Sequence, residues 1–271
     1  MINKITVIKI NKFPTKEGLY MSNKFSKQYT INIYDIDSNY KCKYSSLMNY
    51  LWDVVVSQSD ALGETHNGFV NNCVWVLLKY DLNILEYPKF RDTITVETDI
   101  VGIKKLYGYR SFTIRNSKGH VIVSGLSTAI LIDFDKRRPV KMSPEQIKIY
   151  GIEKELEEAF PLDDFIKLEN PTYSKNYTIR YSDIDANKHV NNVKYIEMAV
   201  DTLPRDLLNN YEISTLKILF KQEAMDGSSL HLFSDVMNHD ASDLITLHTI
   251  FDKNHDKPIT KLEFKWKKSL P

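Results

Sequence analysis

The sequence predicts two copies of an α+β unit, each an antiparallel sheet wrapped around one central helix. Three observations carry this. Residues 29–53 (YTINIYDIDSNYKCKYSSLMNYLWD) align without a gap on residues 177–201 (YTIRYSDIDANKHVNNVKYIEMAVD), and eight of the 25 pairs are identical, among them Tyr29/Tyr177, Asp35/Asp183, Asp37/Asp185 and Asn39/Asn187. Self-similarity of this kind marks a repeated structural unit. In both copies a helix-period stretch precedes several stretches that alternate apolar and polar residues, the order expected when a sheet closes over its helix. A chain of 271 residues also leaves each copy a common domain size.

Each copy opens with a predicted strand, Tyr29 to Ile36 and Tyr177 to Ile184, that runs into a polar Asp-Ile-Asp-x-Asn turn. A helix follows, from about Ser45 to Ser59 and from about Asn192 to Leu203. In the second of these Asn192 is a good N-cap, and Val193, Ile196, Val200 and Leu203 share a face. In the first copy Val76, Leu78, Tyr80, Leu82 and Ile84 alternate with more polar neighbours, as a half-buried strand does. Further strands are expected over Thr93 to Val101, Leu106 to Arg115 and His120 to Asp133. In the second copy they are expected around Leu216 to Phe220 and over Leu230 to Val236, Leu244 to Phe251 and Thr260 to Lys267. The resulting division is an N-terminal extension (1–24), a first unit (25–135), a linker with short helices of its own (136–176) and a second unit (177–268).

Composition narrows the class of function. Apolar residues make up 42% and charged residues 26%, which excludes a disordered polymer or a low-complexity chain. The net charge of +1 gives no overall field that favours nucleic acid or a membrane, so a charged partner needs a local patch. Cys42 and Cys73 form no disulfide framework and have no metal-ligand spacing around them, which predicts reduced thiols, no metal and a cytoplasmic location. The N-terminal segment alternates Ile and Val with Lys and Asn and lacks the apolar run of a signal peptide or a membrane span. The sequence leaves a homodimer open.

The copies differ where chemistry needs them to differ. Only the second carries D-x-N-x-H-V-N-N, as Asp185, Asn187, His189, Val190, Asn191 and Asn192; the first has Lys41, Lys43 and Tyr44 where His189, Asn191 and Asn192 stand. A histidine just before a helix N-terminus sits beside free backbone N–H groups and the positive end of the dipole, a place suited to a developing oxyanion. Asn187 adds an amide that can orient a carbonyl or a water, and Asp185 can fix the geometry of its neighbours. A lone His or Asn in a turn is most often only a cap, and the Asp-Ile-Asp-x-Asn shared by both copies must mainly serve the turn. The excess over that reading is the His and the paired asparagines. Calcium binding, which an opening D-x-D-x-N suggests, fails: Tyr40 and Lys188 stand at the glycine position of an EF-hand loop, and Ser46 and Lys194 at the glutamate position. Farther on, Glu223 ends a strand where counting along the first copy reaches Leu85, so a carboxylate present in one copy and apolar in the other is a candidate general base.

YSDIDANKHVNNVKYIEMAVDTLP resembles the signature of the acyl-acyl-carrier-protein thioesterases of plant plastids and bacteria, which are tandem hotdog-fold proteins. WVLLKYDLNILEYPKFRDTITVETDIVG and DFDKRRPVKMS resemble segments of that family's first hotdog, and the likeness runs in order from about Phe25 to Lys268. The resemblance implies a double hotdog that hydrolyses the thioester of acyl-acyl carrier protein without cofactor, releases free fatty acid and ends chain elongation. It puts the catalytic set on Asp185, Asn187, His189 and Glu223. Plant members have a cysteine after the glutamate; here Ala224 stands there, so an activated water is the simpler nucleophile. Asn191 and Asn192 are expected at the substrate, Leu47, Tyr50, Leu51 and Val54 of the first unit's helix along the fatty acyl chain, and Arg137, Arg138 and Lys141 at the acidic carrier protein. An acyl-coenzyme A thioesterase and a non-catalytic acyl-binding sensor are the alternatives.

Overall fold

The computed structural model describes residues 24–62, 72–133, 135–152, 154–240, 243–253 and 257–269. All but Lys24 of the expected N-terminal extension lies outside them. The first unit comprises β1 (Phe25–Thr30), α1 (Tyr44–Ala61), β2 (Cys73–Ile84), β3 (Thr93–Lys104), β4 (Tyr107–Asn116), β5 (Val121–Asp133) and the two-residue β6 (Arg138–Pro139). After α2 (Pro144–Ile149), the second comprises β7 (Tyr173–Thr178), α3 (Asn192–Val200), α4 (Arg205–Asn210), β8 (Tyr211–Phe220), β9 (Ser229–Asp240), β10 (Asp243–Asp252) and β11 (Pro258–Lys268). All strands belong to one antiparallel sheet in the order β1-β3-β4-β5-β2-β8-β11-β10-β9-β7, with β6 beside β5. The second half of that order repeats the first in reverse, so the repeat read from the sequence is a pseudo-twofold in space. The units meet where β2 pairs β8, from Lys79↔Leu219 to Asn83↔Thr215.

Burial explains both central helices. In α1 the side chains of Leu47, Leu51, Val54 and Gln58 recur at spacings of four and three and are all buried. In α3 Tyr195, Ile196, Ala199 and Val200 do the same, and both helices enter one continuous apolar core. The expected α3 runs to Leu203; the observed helix ends at Val200, because Leu203 precedes Pro204, whose ring disfavours helical backbone at the residue before it. The N-cap is Asn191, whose Oδ1 accepts the Val193 N–H at 3.0 Å, rather than Asn192. The opening strands are displaced as well. They end at Thr30 and Thr178, and a single 3₁₀ turn follows, because Asp35 accepts the Asn32 N–H and Asp183 the Arg180 N–H, each at 2.9 Å, which bends the chain out of the sheet.

The segment between the units is a strap on the outer face of the sheet. Leu156 lies against Gly102, where a Cβ would meet its Cγ at 2.6 Å, so a side chain there would displace Leu156. Phe160 stacks edge-on upon Tyr109 at 5.0 Å. Lys79 of β2 then holds the Pro161 carbonyl and Asp164, while Asp163 takes Lys221 at 2.8 Å and Lys261 at 2.9 Å. The strap therefore ties unit to unit across the β2–β8 seam. A cavity of about 280 Å³ lies beneath it, lined by Lys79, Asp81, Asn83 and Thr128 of the sheet and by Phe160 and Pro161 of the strap among others.

The inner faces differ. In the second unit a buried chain of hydrogen bonds runs from Thr202 to Ser234 (2.5 Å), from Ser234 to His248 Nδ1 (2.6 Å) and from His248 Nε2 to Thr246 (2.8 Å), and the Trp266 indole N–H also reaches Thr246. Burial pushes the His248 imidazole down to about 3. Phe112 occupies the matching place in the first unit, since it pairs with Thr98 as His248 pairs with Ser234.

Candidate active site

The turn that carries the motif has the same backbone in both units. Asp37 Oδ1 accepts the Asn39 and Lys41 N–H groups, and Asp185 Oδ1 accepts the Asn187 N–H at 2.8 Å. The Asp37 and Asp185 amides return to the Lys41 and His189 carbonyls at 2.8 and 2.9 Å. Tyr40 and Lys188 complete the turns at φ of 60° and 65°, a left-handed conformation tolerated here because the aspartates and the following bridges fix it. Asp183 anchors the second turn from below. It is fully buried, and although burial alone raises its pKa, the Arg180 guanidinium, the Arg180 amide and the Tyr177 hydroxyl together hold the carboxyl below the usual range. Its carbonyl accepts the Asn191 N–H at 2.8 Å and so sets the start of α3.

Above this frame His189 Nε2 lies 3.1 Å from Glu223 Oε2. The contact is built by the backbone: Val190 donates to the Ala224 carbonyl at 2.9 Å, and His189 pairs with Met225 in an isolated bridge. His189 is mostly covered, whereas the Glu223 side chain is 49% exposed, so a water or substrate can reach the carboxylate. Asn191 is occupied as the helix cap. The amide of Asn192, at the first position of α3, has no acceptor among the described residues and is the N–H free to meet an oxyanion. Asp185 serves the turn through its carboxylate. Asn187 is exposed, and the structure does not bring its side-chain amide onto His189 or Glu223.

The register corrects the counterpart of Glu223. Leu85 and Glu86 both donate to the Ile122 carbonyl as Lys221 and Gln222 both donate to that of Ile259, so Leu85 matches Lys221 and Glu223 matches Tyr87. Counting from Leu78 misses this because it sets Leu78 on Leu216, whereas the bulge residue Leu78 of β2 matches Ser214, the bulge residue of β8, two positions away. In the first unit Lys41 stands for His189 and pairs with Glu212 at 2.9 Å, itself paired with Lys267, while the buried Tyr87 hydroxyl donates to the Ile213 carbonyl. That place is closed by its own ion pairs. The sequence reading also passed over Tyr195 of α3, whose buried hydroxyl accepts the Ala224 N–H at 3.0 Å.

Leu47, Leu51 and Val54 are buried in the core shared by both helices, and Tyr50 stacks on Tyr29 at 4.6 Å. Arg137, Arg138 and Lys141 are exposed around the β5–β6 turn and carry no ion pair among the described residues. Neither thiol is a nucleophile in waiting: burial pushes Cys42 up to about 12, and burial with the nearby Asp133 raises Cys73. Among the described residues no His, Cys, Asp or Glu cluster is arranged to hold a metal ion, and no helix is long and apolar enough to cross a membrane.

The family model of the acyl-ACP thioesterase N-terminal domain matches residues 22–150, and that of the acyl-ACP thioesterase C-terminal domain matches residues 166–268. The chain belongs to the acyl-ACP thioesterase family. It is 25% identical over 243 residues to a chloroplastic palmitoyl-acyl carrier protein thioesterase of Gossypium hirsutum, covering 82% of this chain and 57% of that protein. It thus spans less than two thirds of the length of that curated relative. Among solved structures, a candidate oleoyl thioesterase of Lactobacillus plantarum superposes with a TM-score of 0.84 at 24% identity, covering 93% of this chain and 98% of the other. The 12:0-ACP thioesterase of Umbellularia californica superposes with 0.78 at 21% identity, covering 91% and 95%. These likenesses establish the tandem hotdog fold.

Proposed function

We propose that this acyl-ACP thioesterase family member hydrolyses the thioester of an acyl group on acyl carrier protein, with the chemistry in the second unit and the fatty acyl chain held by the first, in the cytoplasm. The observation that carries the site is the His189–Glu223 contact, present only in the unit that bears the motif. Glu223 takes a proton from a water that His189 helps to position, and the water oxygen bonds to the thioester carbonyl carbon. The negative charge that develops on the carbonyl oxygen meets the Asn192 N–H at the positive end of α3, with Asn187 and Asn191 flanking the entrance. Collapse breaks the carbon–sulfur bond, and the thiolate recovers the proton carried by the Glu223–His189 pair. Asp185 holds the turn in shape, and no cofactor enters the scheme.

Leu47, Tyr50, Leu51 and Val54 are the proposed acyl contacts, and Arg137, Arg138 and Lys141 the proposed contact with the acidic carrier, supported by their position on α1 and by their unpaired exposure. The test is hydrolysis of one acyl chain presented on acyl carrier protein and on coenzyme A. Preferential release from the carrier protein supports the reading, preferential turnover of the coenzyme A thioester replaces the substrate, and tight acyl binding without release makes the chain a sensor.

A further inference from the structure

Glu223 is anchored through the residue that follows it. The carbonyl of Ala224 accepts the Val190 N–H, and its N–H donates to the hydroxyl of Tyr195, a side chain only 2% exposed on the first turn of α3. The segment carrying the carboxylate is thereby fixed to the bridge residue that follows His189 and to the helix whose N-terminus opens on the same site. The first unit keeps one of these holds and lacks the other. The Pro88 carbonyl accepts the Cys42 N–H at 2.7 Å as the Ala224 carbonyl accepts that of Val190, but Pro88 has no N–H to donate, and the residue of α1 that matches Tyr195 is Leu47, which has no hydroxyl. Both partners change together, and the polar pair survives in the unit that has His189 and Glu223. Burial keeps the phenol protonated by pushing it up to about 12.

We propose that Tyr195 is a positioning residue that sets the distance between Glu223 and His189 through the Ala224 amide. The Glu223 side chain is half-exposed and touches His189, so where its carboxylate rests depends on the backbone behind it. Removing the hydroxyl frees the Ala224 N–H, and the segment shifts to find another acceptor. Misplacement of a catalytic group by an ångström is enough to slow a reaction severely. The inference rests on the thioesterase reading above.

The experiment is steady-state kinetics of the full chain on acyl-acyl carrier protein for the parent, Tyr195→Phe, Ala224→Pro and the double variant, with amide hydrogen exchange of the 223–225 segment. Tyr195→Phe keeps the ring and is expected to lower kcat about 10-fold with KM within about twofold, and to speed exchange at Ala224. Ala224→Pro imitates the first unit, leaving no N–H to hold, so in that background removing the hydroxyl is expected to change kcat by less than about twofold. An unchanged kcat in Tyr195→Phe overturns the proposal. So does a loss of the same size in the Pro background, which assigns the hydroxyl to the substrate instead. If the parent releases no fatty acid from the carrier, the thioesterase reading itself falls, whereas an active parent with an indifferent Tyr195→Phe removes this proposal alone.

Discussion

The turn after the opening strand of each unit shows how one backbone can be kept while its chemistry is exchanged. Asp37 and Asp185 each accept the N–H two residues on, and Tyr40 and Lys188 adopt the same left-handed conformation. On that common frame the first unit sets Lys41 and Tyr87, which spend their polar atoms on Glu212 and on the Ile213 carbonyl. The second sets His189 and Glu223, which face each other with the carboxylate half in water. A closed ion pair contributes to structure but offers nothing to a substrate; an exposed carboxylate beside an imidazole can take a proton from water. On the proposed reading the units divide the work between holding and reacting.

The strongest way to break this division is to remove the proposed base. Glu223→Ala is expected to lower kcat by about 10²- to 10⁴-fold with the fold intact, read as fatty acid release from acyl-acyl carrier protein. Tyr87→Phe, the matching change in the first unit, touches only a structural hydrogen bond and is expected to leave kcat within about twofold. A comparable loss in both variants would mean that the units share the chemistry.

A second comparison concerns the inner faces, where His248 takes the place of Phe112. Its folded pKa of about 3 lies below the ordinary value of 6.5, so the unfolded chain binds the proton more readily. The stability this confers is present above pH 6.5 and is lost as pH falls toward 3, on the order of 3 kcal/mol between pH 6.5 and 4. Urea unfolding at pH 7 and pH 4 reads it directly. His248→Phe, which copies the first unit, is expected to flatten that dependence at a lower plateau, because Ser234 and Thr246 lose their partner. A pH dependence unchanged in His248→Phe would assign the acid sensitivity to other groups.

Smaller effects sharpen the role of the first unit. Enlarging Leu51 or Val54 to Trp is expected to shorten the preferred acyl chain, at a cost of roughly 1 to 3 kcal/mol from overpacking. The profile of released fatty acids decides; an unchanged profile in a folded variant separates these side chains from the acyl path. Reversing Arg137 and Arg138 to Glu is expected to raise KM for acyl carrier protein a few-fold at low salt, with kcat held. An unaltered KM places the carrier elsewhere on the surface.

Much of this was legible in the sequence because the repeat made it so. The identities from Tyr29 to Asp53 give the two helices and the common turn, and the substitution of Lys41 by His189 points to the unit in which the structure sets an imidazole against Glu223. What stayed hidden depended on register or on backbone atoms. The bulges at Leu78 of β2 and Ser214 of β8 match, which makes Tyr87 rather than Leu85 the counterpart of Glu223, and a misalignment by two residues leaves no mark in the alternation of apolar residues. The pairing of Tyr195 with the Ala224 amide joins residues 29 positions apart, and its trace in the sequence is the paired exchange to Leu47 and Pro88, visible only once the register is known. The strap stayed hidden as well: residues 136–176 read from the sequence only as a linker, yet Asp163 and Asp164 within it are each held by lysines from the sheet.

The central claim is that water attacks the thioester directly, with Glu223 as base. Intact-protein mass spectrometry during turnover of acyl-acyl carrier protein tests it most closely. The account predicts that the enzyme keeps its unmodified mass while free fatty acid accumulates, since Ala224 cannot attack and the Cys42 and Cys73 thiols are held protonated. A covalent acyl adduct formed and consumed at the rate of turnover would contradict it.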